Sequence, residues 1–171
     1  MSYPSNPMRA TGLLAVNWEL LESTVEIALI ELVGCTDYRG RALTTYLTFP
    51  NMWRALKILV KDRFGLSSTK TQDFRNLEND IFEIRAYRNG VIHADWKDYT
   101  EGSESTIIAH DMNARSSLTA KELRFTSSDI DDMNNKLVDV HVNLLNFLTN
   151  ECDIVPFEGK YALPLQKAKD S

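Results

Sequence analysis

The sequence contains little cysteine, glycine and proline and no long apolar run, and each shortage excludes a class of protein. The two cysteines, Cys35 and Cys152, are too few for a disulfide scaffold and belong to no CxxC motif, which fits a reducing compartment or simple burial. Seven glycines and five prolines exclude collagen-like and low-complexity chains. No apolar run reaches about 18 residues, and residues 1–7 lack a charged segment followed by an apolar stretch. We therefore predict a cytoplasmic protein with no membrane partner.

Length and charge set further limits. The chain has 171 residues, which suits one domain. We place that domain at residues 7–150 and a C-terminal tail at 151–171. With 24 acidic and 19 basic residues the net charge is −5. Extended nucleic-acid-binding surfaces need a basic face, so we expect any contact with RNA to be confined to a small site.

The first of four helical stretches carries apolar residues spaced by 4, 3, 4, 3 and 4, the pattern of a buried helix seam. The seam comprises Leu14, Trp18, Leu21, Val25, Ala28 and Leu32. Asn6 with Pro7, or else Thr11, can begin this helix, and Gly34 can end it. A different stripe of the same helix carries Glu19, Glu22 and Glu26.

The second helical stretch begins after Asp37 and contains a proline in its middle. Because Pro50 lacks an N–H and has a fixed φ, we predict a break or kink near Thr48 and Phe49. Apolar residues at helical spacing continue until Gly65, which can end the helix. The prediction is a kinked second helix.

The third helical stretch begins with Thr69 and Gln72, which are spaced as a capping box. Its apolar seam runs from Phe74 to Ile84, and the next seam positions are 88 and 91. Arg88 therefore occupies a position where a buried residue is expected. A guanidinium there needs a partner, because a lone buried charge is very costly.

Helical spacing lapses between Ala94 and about Thr126, where residues 96–99, 106–109 and 123–126 are short β-like runs. The fourth helix follows a cap at 126–129 and has the most regular apolar spacing in the chain. We therefore predict an all-α fold. Its form is an up-down four-helix bundle with a kinked second helix and a short β-like hairpin or loop insertion before the last helix.

Motifs for cofactors, metals and catalytic serines are missing from the sequence. It contains no GxGxxG, GxxxxGK[ST], HExxH or GxSxG. The three histidines, His93, His110 and His141, are dispersed, so we predict no metal site and no cofactor. We interpret His141 as a packed or interfacial residue and His110 as a surface residue.

The end of the third helix combines an arginine, an asparagine and a histidine. Asn89 and His93 lie one helical turn apart, and Arg88 is roughly 7.5 Å from His93 along the axis, a gap that its side chain can largely span. A histidine can transfer protons at neutral pH, and an arginine can stabilise a phosphorane-like transition state. With Asn89 orienting the imidazole or the ribose, these residues suit metal-free RNA cleavage. Gly90 would allow a second backbone to approach, and the single histidine favours a two-fold dimer.

The same residues also have purely structural interpretations. Arg88 could form an ion pair with one of the three glutamates of the first helix. His93 could cap the end of its own helix, where a cation is favoured. Residue spacing leaves these interpretations open beside the catalytic one.

The segment Arg88-Asn89-Gly90-Val91-Ile92-His93 resembles the R-x4-6-H motif of HEPN domains, in which a polar residue directly follows the arginine. His93-Ala94-Asp95-Trp96 is similar to the His-Gly-x-Trp often found in that setting, with alanine in place of glycine. The order of elements over residues 10–150 also looks like HEPN: two long helices, the motif near the end of the third, an insertion and a final helix. The resemblance implies an HEPN-like four-helix bundle.

HEPN proteins are typically homodimers, and many are metal-independent endoribonucleases of toxin–antitoxin, abortive-infection or other stress and defence systems. The resemblance thus implies RNA as a substrate and an antitoxin or assembly protein as a possible partner. Arg88 and His93 would be catalytic, with Asn89 supporting them. Because some HEPN proteins are inactive, the alternative is a non-catalytic HEPN dimer that binds nucleotides or assembles with proteins.

Overall fold

The protein is mostly helical in a computed structural model, which describes residues 6–93, 95–100, 106–110 and 122–154. The helices in these ranges are α1 (Pro7–Val33), α2 (Asp37–Thr44), α3 (Phe49–Phe64), α4 (Thr69–Ile92) and α5 (Ser127–Cys152). The strands are β1 (Asp95–Thr100), β2 (Thr106–His110) and β3 (Glu122–Thr126). The predicted helical class is confirmed, and the HEPN-like arrangement of the helices stays a prediction. None of these helices is both long enough and apolar enough to cross a membrane.

Helix α1 begins and ends at residues that the sequence singles out. Asn6 Oδ1 accepts the N–H of Met8 at 2.9 Å. Pro7 is the first helical residue, a position where an N–H would have no intrahelical acceptor. Of the two predicted starts, the one at Asn6 and Pro7 is therefore confirmed. Gly34 follows the helix with a φ of 72°, a left-handed conformation that glycine adopts without steric penalty.

Of the two predicted outcomes near Thr48 and Phe49, the break is confirmed and the kinked second helix is wrong, because two separate helices occupy this stretch. Helix α2 ends at Thr44 and α3 begins at Phe49. Pro50 thus lies in the first turn of α3, where its missing N–H removes no helical hydrogen bond. The proline favours the start of a helix here instead of a bend within one. The described residues accordingly contain five helices and not four.

Helix α4 is capped by Ser68 and not by the predicted pair of Thr69 and Gln72. Ser68 Oγ accepts the N–H of Thr71 at 3.1 Å. The side chain of Gln72 donates to Asn76 Oδ1 at 3.3 Å instead of reaching back to the start of the helix. Serine and threonine are both good capping residues, and the spacing to a glutamine favoured the wrong one.

A three-stranded antiparallel sheet with the order β1-β2-β3 precedes α5. Thr106, at the start of β2, pairs with Thr100 of β1 and with Thr126 of β3. The register of the first pair shifts between Trp96 and Asp98. The strands lie where the sequence predicts the β-like insertion.

Helix α5 begins with the predicted capping box. The N–H of Thr126 donates to Asp129 Oδ2 at 2.8 Å, and the N–H of Asp129 donates to Thr126 Oγ1 at 3.0 Å. Both bonds satisfy donors at the helix start that have no intrahelical acceptor. The helix continues to Cys152, so the first two residues of the predicted tail at 151–171 are helical. Residues 155–171 lie outside the described ranges.

The described chain forms two compact units, and α1, α4 and α5 each contribute one part to each unit. Unit 1 comprises the described chain up to Trp18 and from Ile81 to Asp139. Unit 2 comprises Glu19–Asp80 and the described chain from Val140 onwards. The single domain at 7–150 stays a prediction.

Each unit has its own apolar core. The core of unit 1 contains a polar pair: the side-chain N–H of Asn17 donates to Asn134 Oδ1 at 2.8 Å, and both side chains are buried. In unit 2, the ring of Trp53 stacks on that of Phe74 with centroids 4.8 Å apart. The core of unit 1 includes Ala10, Leu14, Trp18, Ile81, Ile84, Val91, Phe125, Ile130, Leu137 and Val138.

Candidate active site at the end of helix α4

The last two turns of α4 carry the residues that the sequence predicts as a site. Ile84 and Val91 have no exposed surface, so they define the face of α4 that is buried in unit 1. Arg88 lies between them on this seam and is half-buried. A long arginine can pack its aliphatic stem against apolar neighbours while its guanidinium reaches solvent. The position is therefore only partly a core position.

Arg88 contacts both of the other predicted site residues. Its Nη1 donates to Asn89 Oδ1 at 3.1 Å and lies 3.5 Å from His93 Nε2. A guanidinium has no lone pair with which to accept a hydrogen bond, so Nε2 of His93 is the acceptor. Such a hydrogen bond requires a neutral imidazole that carries its proton on Nδ1. The three side chains therefore converge, as the sequence predicts.

The helix backbone sets the spacing of this site. The N–H of His93 donates to the carbonyl of Asn89 at 3.1 Å, so the helical hydrogen-bond pattern continues one residue beyond Ile92. This bond places His93 one turn after Asn89. His93 is exposed, whereas Asn89 is half-buried. The imidazole is thus open to a ligand, while the residues that position it are packed.

The arrangement has the groups that phosphodiester chemistry needs. The Arg88 guanidinium can donate to two phosphate oxygens at once. The Nε2 lone pair of a neutral His93 can accept a proton, and the same nitrogen can return a proton once it is protonated. Asn89 Oδ1 restrains the guanidinium beside the imidazole. A phosphate that binds Arg88 would thus lie next to a group that transfers protons.

One glutamate of α1 has another partner. Glu26 accepts a hydrogen bond from the hydroxyl of Thr44. The predicted ion pair between Arg88 and one of the α1 glutamates stays a prediction. The interpretation of His93 as a helix cap also stays open, since its ring lies just after the last turn of α4.

A cleft beside Tyr87 is a feature of unit 1 that the sequence analysis missed. It has a volume of about 370 Å³, within the size range of small-ligand sites. The ring of Tyr87 packs edge-to-face on Phe125 with centroids 5.2 Å apart. The cleft is lined by Tyr87, Arg124, Phe125, Asp129, Asp132, Met133 and Lys136. The only sequence signal was an aromatic residue directly before the arginine of the motif.

The Tyr87 hydroxyl is an unusual group within this cleft. Its oxygen is buried and has no hydrogen-bond partner among the described residues. Burial, followed by the carboxylates of Asp129 and Asp132, raises the pKa of Tyr87 well above its usual value. The phenol is therefore protonated at neutral pH.

Two further histidines lie elsewhere in the sequence. His141 is 1% exposed, so its prediction as a packed residue is confirmed. His110 lies in β2, where only its backbone is described. Within the described ranges, no cluster of three or more His, Cys, Asp or Glu residues could hold a metal ion.

Comparisons of this chain with protein-family models, with curated proteins and with solved structures gave no match.

Proposed function

We propose that this protein is a metal-independent endoribonuclease of the HEPN type that acts in a toxin–antitoxin, abortive-infection or other stress or defence system. The contact of Arg88 with both Asn89 and His93 is the observation that carries this proposal. It joins a phosphate-binding cation to a proton-transfer group on one helix end. The motif that resembles HEPN is thus also a spatial cluster.

The proposed reaction uses the 2′-hydroxyl of RNA as its nucleophile. His93 Nε2 accepts the proton of that hydroxyl while its oxygen attacks the adjacent phosphorus. The bond from phosphorus to the 5′ oxygen breaks, and that oxygen takes a proton from a protonated imidazole. Arg88 stabilises the additional negative charge on the phosphorus-bound oxygens. The products carry a 2′,3′-cyclic phosphate and a 5′-hydroxyl.

Two imidazoles serve this reaction better than one, because one accepts a proton while the other donates one. A single chain supplies only His93 at the site, and a two-fold homodimer would bring two copies together. Gly90, which follows Asn89 in the chain, has no side chain to obstruct a second backbone. The proposed functional unit is therefore a homodimer, and an antitoxin or assembly protein is its proposed further partner.

RNA cleavage in EDTA tests the proposal. Wild-type protein is incubated with structured and unstructured RNA beside two variants, Arg88→Ala and His93→Ala. We expect the loss of the cation to slow cleavage roughly 100-fold or more, and the loss of the imidazole to have an effect of similar or larger size. Arg88→Lys is the matched control for charge. Lysine keeps the positive charge but lacks the planar guanidinium that donates two hydrogen bonds side by side, so intermediate activity is expected.

Equal cleavage by wild-type, Arg88→Ala and His93→Ala preparations would show a contaminating nuclease and contradict the proposal. Cleavage that requires a divalent cation would contradict the metal-independent mechanism. A circular dichroism spectrum of each variant verifies that the helices remain formed. His93 is exposed, so its replacement does not open the core.

A second candidate function is a non-catalytic HEPN dimer that binds nucleotides or assembles with proteins. The cleft beside Tyr87 favours it, because its volume suits a small ligand and Tyr87 is among its lining residues. Nucleotide binding that Tyr87→Phe weakens, together with no cleavage by the wild-type protein, would support this function over the first.

A further inference from the structure

Helix α2 and the turn after it expose two tyrosines. Tyr38 is 87% exposed and Tyr46 is 91% exposed. Leu43, between them, is 65% exposed. Aromatic rings of this size are usually at least partly packed, so two almost fully exposed tyrosines within nine residues mark a surface that is suited to a ligand.

Two contacts hold the other face of α2 against α1 in unit 2. A Cβ atom on Gly40 would lie 2.5 Å from Ile30 Cγ2 of helix α1, so only glycine permits this close approach. One turn later, the Thr44 hydroxyl donates to Glu26 of the same helix. Gly40 and Thr44 are both buried.

The orientation of α2 turns the opposite face of the helix outward. Tyr38, Arg39 and Ala42 lie on the side of the helix opposite Gly40 and Thr44, because each residue advances the helix by about 100°. All three are exposed. A tyrosine and an arginine are therefore presented side by side on a helix that is firmly anchored.

Basic residues are concentrated in the part of the sequence that contains α2 and α3. Residues 36–64, which span α2 and α3, contain six basic residues and only two acidic ones. This segment has a net charge of +4, so the remainder of a chain of net charge −5 carries −9. The overall acidity of the protein thus conceals one basic segment.

From these observations we infer that the α2 surface, comprising Tyr38, Arg39, Arg41 and Tyr46, binds single-stranded RNA. Exposed rings stack on the faces of unpaired bases without regard to sequence, and arginines contact the phosphates between them. Positive charge complements the nucleic-acid backbone. The inference rests on the proposed function only in taking RNA as the ligand, because the surface is separate from Arg88 and His93 in sequence.

Fluorescence polarisation with a labelled oligo(U) RNA of about 12 nucleotides tests the inference. The full chain carries His93→Ala so that the probe stays intact. We expect the double variant Tyr38→Ala with Tyr46→Ala to weaken binding about tenfold or more. The matched double variant Tyr38→Phe with Tyr46→Phe keeps both rings and should bind RNA as tightly as the protein with both tyrosines. Both tyrosines are exposed, so the substitutions leave the core unchanged.

Salt dependence tests the role of the arginines. Each phosphate contact contributes about 0.7 to the slope of log affinity against log salt for a single strand. Arg39→Ala should reduce this slope by about that amount. Arg9→Ala removes the same charge from another exposed arginine and is the matched control, with no expected change in slope.

Three results would overturn the inference. The first is unchanged RNA affinity in the double Tyr→Ala variant. The second is a change from dimer to monomer in that variant without a change in RNA affinity, which would make the surface an interface between copies. The third is binding to anionic lipid vesicles but not to RNA.

The outcomes for this surface and for the proposed cleavage can be separated. Ring-dependent binding of RNA by a protein that cleaves no RNA would support the inference and contradict the proposed function. The opposite result is cleavage that needs His93, with neither cleavage nor RNA binding affected by the α2 substitutions. It would support the proposed function and contradict the inference.

Discussion

The buried histidine of helix α5 predicts how stability depends on pH. Thr24 uses its hydroxyl proton to donate to the carbonyl of Leu20 at 3.0 Å. Its oxygen is 2.7 Å from His141 Nε2 and must therefore accept the Nε2 proton. Nδ1 of His141 is buried and has no hydrogen-bond partner among the described residues. Protonation of Nδ1 would thus bury a cation whose new N–H has no acceptor among the described residues.

The magnitude follows from the difference in pKa between the folded and unfolded chains. Burial lowers the pKa of His141 from 6.5 to about 4. Between these values the unfolded chain binds a proton that the folded chain does not, so the free energy of unfolding falls as the pH falls. The contribution of His141 to the free energy of unfolding is fully present above pH 6.5. The free energy of unfolding is lower by about 2 kcal/mol at about pH 5 and by about 3 kcal/mol at about pH 4.

Urea unfolding between about pH 7.5 and pH 5 measures this effect, with His141→Gln as the comparison. Glutamine keeps an amide donor for Thr24 but does not titrate. We expect the wild-type protein to lose about 2 kcal/mol more than the variant over this range. Parallel pH profiles for wild type and His141→Gln would refute the reasoning, because every other titrating group is shared.

Two further predictions concern packing and assembly. Gly40→Ala should lower the free energy of unfolding by about 1 to 3 kcal/mol, because its new methyl group would collide with Ile30. Gly12→Ala is the matched control on α1, where a Cβ would meet nothing within 4 Å. It should stabilise the protein by up to about 1 kcal/mol. Equal urea midpoints for the two variants would contradict this account. Light scattering should give about twice the chain mass of 19.5 kDa for the proposed dimer, and a mass of one chain would contradict it.

Apolar spacing was a reliable guide to the helices. Five of the six predicted seam residues of α1 are buried and the sixth, Leu32, is half-buried, because a repeat of 3 and 4 residues leaves one face of a helix apolar. The reciprocal cap of α5 was also predictable, since Thr126 and Asp129 are close in sequence. Local signals of this kind need no knowledge of tertiary contacts.

The features that the sequence could not predict depend on contacts between distant segments. Gly40 looks like an ordinary helix glycine until Ile30 is found against it. The exposure of Tyr38 depends on that same contact, which turns the opposite face of α2 inward. The cleft beside Tyr87 requires Phe125, which is distant from it in sequence. Pattern reasoning located Arg88 and His93 but not their surroundings.

The most direct test of the account is the chemistry of the RNA ends that the protein produces. Mass spectrometry of products from wild-type protein in EDTA should show a 2′,3′-cyclic phosphate and a 5′-hydroxyl, and an oligonucleotide with 2′-O-methyl groups throughout should remain intact. His93→Ala should give neither product above background. Products with a 5′-phosphate, cleavage of the 2′-O-methyl substrate, or undiminished products from His93→Ala would contradict the assignment of His93 and Arg88 as an RNA-cleaving pair.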